Sequence, residues 1–158
     1  TGQLQKSAGS QMMIDPNGVI RRWVNKADSV AWDVKLFHPG TYDVVLSTTL
    51  VRMFRRPPAP APGAPPAARR PMTFPPPMWE GGHKLTLDVG GATVSGTVAE
   101  DSRYVDPSNP LMTYVISKIG QVKIAKAGPA HIVLKADSLE TAKDVGLTLA
   151  NVKLVPAN

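Results

Sequence analysis

Between residues 27 and 50 apolar side chains fall on every second position, a spacing that strands accommodate and helices do not. Val30, Trp32, Val34 and Leu36 alternate with Ala31, Asp33 and Lys35, and past His38, Pro39 and Gly40 the alternation resumes with Tyr42, Val44 and Leu46. A period of two buries one face of a strand and wets the other. Proline presets one backbone angle and glycine accepts positive φ, so the break reads as a reversal. The stretch predicts two antiparallel strands joined by a turn, with Trp32 and Tyr42 in the core.

The same period recurs after the middle of the chain. Leu85, Leu87 and Val89 alternate with Thr86 and Asp88, Gly90-Gly91 turns the chain, and Ala92, Val94, Gly96 and Val98 follow. A Gly-Gly pair suits the turns that match strand twist, so this is a hairpin. Residues 99–110 are polar and read as a loop; 111–120, with Tyr114 in the core, and 121–125 read as two short strands. Further strands are expected at 130–136 and 145–155, and only 138–144 has helical flavour. At the other end, residues 1–10 are a polar lead-in suited to tying down an edge. Residues 11–14 make a short strand closed by the turn formers Asp15-Pro16-Asn17-Gly18, and Trp23 belongs to the core or its rim.

A proline tract divides these two halves. Ten of the 16 prolines lie between Pro57 and Pro77, and proline has no N–H for a strand ladder and fits no helix interior. Residues 1–54 hold too few strands to close a core alone. The tract at 55–82 is therefore a long Pro/Arg-rich loop inserted in one domain that spans 1–158. Eight or more short strands without a helix of length give an all-β fold, an antiparallel β-sandwich of jelly-roll type.

Charge and composition restrict partners. Four of the six net positive charges sit between Arg52 and Glu80, on five arginines against one glutamate, so no general basic face is implied. Aromatic and basic residues are not interleaved along one strand face, which argues against nucleic acid. Cysteine is absent, so thiol catalysis and thiolate metal sites are excluded. No apolar stretch approaches the roughly 20 residues of a membrane span. The chain opens on Thr1 without an apolar leader, which is expected of a piece of a longer chain.

No catalytic constellation stands out, and no enzyme activity is expected of the chain itself. His38, His83 and His131 are isolated, without the spacing of ligands on one element, and the carboxylates are scattered. No cofactor is expected. Calcium, which takes six to eight oxygens, could draw on Asp15, Asn17, Asp101, Asp106 and Asp137, but no loop has EF-hand spacing.

The run containing Trp23, Asp28 and Trp32, the Pro39-Gly40-Thr41-Tyr42 lead into a strand, IGQVKIAKAG at 119–128 and the closing LANVKLVP at 149–156 together resemble the galactose-binding-like sandwiches of carbohydrate-binding-module type. Such domains are appended to glycoside hydrolases, α-L-fucosidases and sulfatases of polysaccharide-degrading bacteria. The resemblance covers about four fifths of the chain, leaving out the proline tract. It implies an extracellular or periplasmic accessory domain that binds a polysaccharide or glycan beside the catalytic domain of its parent chain. Where related domains carry a tryptophan, it implies Tyr104.

Sugar recognition needs a ring to stack on a pyranose and a few fixed polar groups to read hydroxyls. The residues expected to supply them are Trp79, Tyr104 and Phe74 as rings, with Arg103, Asn109 and His83 as hydrogen-bonding partners. The Arg55-Arg56 and Arg69-Arg70 pairs suit an anionic glycan. The alternative is an interaction domain that packs on a catalytic neighbour or partner, with the proline tract as the contact.

Overall fold

Residues 2–51, 76–143 and 145–157 are described in a computed structural model; Phe74, both arginine pairs and most of the proline tract lie outside them. The described residues form eleven strands and no helix. They are β1 (Gln3–Gln5), β2 (Met13–Ile14), β3 (Ile20–Trp23), β4 (Ser29–Leu36), β5 (Gly40–Thr49), β6 (Lys84–Val89), β7 (Ala92–Thr97), β8 (Ser102–Asp106), β9 (Asn109–Ile124), β10 (Gly128–Ser138) and β11 (Leu147–Pro156).

Two antiparallel sheets result, one ordered β1-β4-β10-β6-β7 and the other β2-β3-β11-β5-β9-β8. The fold is an all-β sandwich, as its periodicity predicts. Strands from both sides of the proline tract enter both sheets, and one cluster holding Trp23, Val30, Leu46, Leu87, Leu134 and Leu147 fills the space between them. The flanks of the tract meet at a bridge in which Val51 and Met78 exchange backbone hydrogen bonds of 2.7 and 2.8 Å.

Several local expectations change. β4 and β5 do not pair: β4 lies beside β1 and β10, and β5 lies between β11 and β9. The His38-Pro39-Gly40 break is thus a corner that carries the chain from one sheet to the other. Gly40 holds φ +154°, a backbone that side-chain-bearing residues rarely adopt. The polar stretch 99–110 contains β8, which folds back on β9. The two strands expected at 111–125 are one, β9, interrupted by a register shift where Val44 faces Gly120 and Val45 faces Lys118. Of the stretch expected to have helical flavour, the described residues 138–143 form no helix.

Other expectations stand. β6 and β7 pair with Val89 opposite Ala92, so the loop is Gly90-Gly91 alone, both at positive φ as a tight hairpin turn requires. The lead-in does tie down an edge, because β1 pairs with β4. It is also held by the buried Asp28 carboxylate, which accepts from Ser7 N and Oγ, each at 2.7 Å, and from Ser10 Oγ at 2.5 Å. Burial alone would raise the Asp28 pKa; these hydrogen bonds and the nearby Lys6 outweigh it and hold the carboxyl below its ordinary value.

The sandwich closes unevenly. On the β7 side the sheets touch: a Cβ on Gly96 would run into the Ile119 carbonyl, and one on Gly120 would stand 2.6 Å from Val94 Cγ2. On the opposite side Trp32, Val34, Ile14, Val152 and Leu154 line an apolar cleft of about 400 Å³. Trp32 and Tyr42 point inward as predicted but are only half-buried. Since backbone cannot retreat as a flexible side chain can, Gly96→Ala should lower unfolding free energy by roughly 1–3 kcal/mol. Urea denaturation of the variant beside the parent protein checks this.

Candidate functional site

Register decides which side chains share a face. Directly opposed residues in a ladder point the same way, and successive residues alternate. In the β5-β9-β8 part of the second sheet, Thr48, Val115 and Arg103 form one row, and the core residue Leu149 also opposes Thr48, which marks that row as inner. The next row, Thr49, Tyr114 and Tyr104, is therefore outer, as is the row of Ser47, Ile116 and Ser102 two residues along.

Tyr104 and Tyr114 meet on this outer face. Their ring centroids are 6.3 Å apart with an interplanar angle of 23°, a stacked cross-strand pair. Tyr104 is 51% exposed and Tyr114 half-buried beneath it. Tyr114, expected in the core, thus faces outward, and its position is the principal addition that the structure makes to the candidate set. Ile116 extends the apolar patch along β9.

The remaining candidates are distributed elsewhere. Arg103 alternates with Tyr104 and belongs to the opposite phase of β8, where its guanidinium pairs in bidentate fashion with Glu100. The Arg103 hydrogen bond lowers the Glu100 pKa, and the same bond raises that of Arg103. Asn109 opens β9 opposite Asp106. Phe74 lies outside the described residues.

Trp79 and His83 serve the interior. The Trp79 indole packs half-buried against the core, and its Nε1 donates to Thr48 Oγ1 at 2.9 Å, on the inner side of β5. It stands on the other side of the sheet from Tyr104. His83, expected as a hydrogen-bonding partner for sugar, is instead wholly buried, at 0% exposure, and cannot meet a ligand at the surface. Its Nδ1 accepts from the Glu140 backbone N–H at 3.0 Å, so the ring proton sits on Nε2. Burial pushes the His83 pKa down, and the Glu80 carbonyl and the charges of Glu80 and Glu140 pull upward without overcoming it. Glu80, also buried, accepts from Lys143 N at 2.8 Å and Gly146 N at 2.9 Å. Together His83 and Glu80 shape the connection between β10 and β11.

The acidic residues weighed for calcium are likewise apart. Asp15 binds Arg21 Nε at 2.6 Å and the backbone of Asn17 and Val19. Asp101 accepts from Lys118 N, and Asp137 from Thr86 Oγ1. Among the described residues no three His, Asp or Glu side chains come within reach of one ion. On the other sheet His131 pairs with Asp33 at 2.7 Å, both exposed.

The class these features define is an antiparallel β-sandwich with an aromatic pair on the outer face of one sheet. No protein-family model and no curated protein matches the chain. Among solved structures the chain is similar to the crystal structure of an α-L-fucosidase from Vibrio sp. strain EJY3, at a TM-score of 0.56 and 14% identity over 90% of this chain. At that identity the similarity is one of fold. The match spans 23% of the fucosidase, so the chain corresponds to under a quarter of that enzyme.

Two outcomes follow from the inward placement of Trp79 and His83. Trp79→Ala removes packing and the hydrogen bond to Thr48 Oγ1, which keeps its own bond to the Val115 carbonyl, and should cost roughly 2–4 kcal/mol of stability in chemical denaturation. For His83, the unfolded chain takes up a proton near 6.5 while the folded chain does so at lower pH. Unfolded protein thus binds more protons below that value, so the stability contributed by neutral His83 is complete above 6.5 and drains as pH falls toward the folded pKa. An NMR titration of the His83 ring should give a midpoint below 6.5, and His83→Gln should flatten the stability profile in that window.

Proposed function

We propose that this chain is a non-catalytic carbohydrate-binding accessory domain of a secreted polysaccharide-degrading enzyme, with its sugar platform on the outer face of the β5-β9-β8 sheet. The observation that carries this reading is the stacked Tyr104–Tyr114 pair, an aromatic surface left exposed on a regular sheet. Two tyrosines side by side offer an apolar plane for the C–H face of a pyranose, and their hydroxyls offer donors and acceptors at its rim. Mounted directly opposite each other on β8 and β9, they are held by the ladder rather than by a loop, which limits the entropy lost on binding. The sandwich similarity to part of an α-L-fucosidase supports the setting, a β domain within a glycoside hydrolase.

Binding to a panel of plant and algal polysaccharides by affinity electrophoresis tests the reading. Tyr104→Ala should weaken the best ligand roughly 3- to 10-fold, the equivalent of one lost stacking contact. The same change should lower unfolding free energy by less than about 1 kcal/mol, since it removes one surface cross-strand pair. Retention of full affinity in a Tyr104→Ala, Tyr114→Ala double variant would place the sugar elsewhere. Absence of binding to every glycan would favour a domain that packs on its catalytic neighbour.

A further inference from the structure

Beyond the tyrosines, the outer face of the same sheet carries an ordered set of cations. Lys153, Val45 and Lys118 are register partners across β11, β5 and β9, so both lysines stand on the outer side, as Tyr114 does. Further along the same strand, Thr41 opposes Lys123, again on the outer side. All three lysines are exposed. Facing them are Asp43, which binds Lys118 Nζ at 2.8 Å and Gln121 Nε2 at 2.7 Å, and Asp101 at the margin, which accepts from the Lys118 backbone. The Lys118 hydrogen bond, with Gln121, holds Asp43 below the ordinary carboxylate range. Lys123 and Lys153 have no ion pair among the described residues, and the strip is left net positive.

The spacing has a direction. Strand geometry puts Lys118 about 13 Å along β9 from Tyr114 and Lys123 about 30 Å from it, and Lys118 and Lys153 about 10 Å apart across two strand spacings. An isolated sugar covers only the tyrosine pair. A polymer laid along β9 reaches the pair and the lysines at once.

We propose that this strip binds an extended acidic polysaccharide, a polyuronate or a sulfated glycan, with one sugar stacked on Tyr104 and Tyr114 and its anionic groups meeting Lys118, Lys153 and Lys123. This rests on the carbohydrate-binding reading above and names the class of ligand. Charge recognition by lysine is point-like and tolerant of rotation, which suits a flexible polymer whose carboxylates or sulfates recur along the chain. Charges on a solvent-exposed strip act at moderate strength and are screened by salt, so each lysine adds modestly and the set adds through several contacts on one polymer.

Calorimetric titration of the full chain with polygalacturonate, with its carboxyl-reduced neutral counterpart and with single-stranded DNA of matched length tests the proposal. Expected are at least about 10-fold tighter binding of the acidic polymer than of the neutral one, an affinity that rises with oligosaccharide length, and a log K that falls with log salt. A Lys118→Gln, Lys123→Gln, Lys153→Gln variant should bind the acidic polymer no better than the neutral one, with neutral-polymer affinity unchanged and only the small drop in thermal midpoint that follows from losing the exposed Lys118–Asp43 pair. Tyr104→Ala should weaken both polymers. Equal affinity for acidic and neutral polymers overturns the charge assignment and leaves sugar binding intact, as does a sulfated glycan whose affinity survives desulfation. Failure to bind either polymer removes the carbohydrate reading and this inference with it. Binding of DNA as tight as that of polygalacturonate, or acidic binding untouched by Tyr104→Ala, shows unselective charge attraction and overturns the proposal.

Discussion

The close approach of β7 to β9 sets the geometry on which the rest of the molecule depends. Where Gly96 lies against the Ile119 carbonyl backbone meets backbone, and at Gly120 only the Val94 side chain stands between the two sheets. On the far side the indole of Trp32 and the side chains of Ile14, Val34 and Val152 stand between them, and the gap is wide enough to leave a cleft. Between the pinched side and the propped side, the chain turns corners from sheet to sheet more often than it pairs sequence neighbours. Of the eleven strands, only β2–β3, β6–β7 and β8–β9 follow each other within one sheet. The interior is shared by both halves of the chain because every other connection crosses between layers.

Strand content and the Gly90-Gly91 hairpin were legible because each is a local matter, settled by alternation and by glycines that accept positive φ. The pairing of β4 with β10 was not. Alternation is the same for a strand that turns back on its neighbour and for one that bends into the opposite sheet, and Pro39-Gly40 suits either course. Only the tertiary requirement that β5 sit between β11 and β9 distinguishes them.

The aromatic pair was half legible for a related reason. Along β9 the outer phase carries Tyr114 and Ile116 while the inner phase carries Val115 and Ser117, so hydropathy points the wrong way over these four residues. The register shift beside Gly120 then exchanges the phases, and Val122 and Ile124 are core. A strand read as one regular period assigns Tyr114 to the interior. The change of phase is a signal only when the glycine is recognised as a bulge. The inward contacts of Trp79 and His83 were not legible because a loop position in sequence says nothing about which way the chain folds over the sheet; both close the end of the sandwich, through Thr48 and the Glu140 backbone.

The Val51–Met78 bridge fastens both feet of the proline tract to a single point at the end of β5. Once its ends are joined there, the sheets register no strain from how many residues run between them, since closing a loop of twice the length costs only about 0.6 kcal/mol more. The bridge is therefore a splice junction, the point at which sequence should be lengthened or exchanged with least effect on the strand partners.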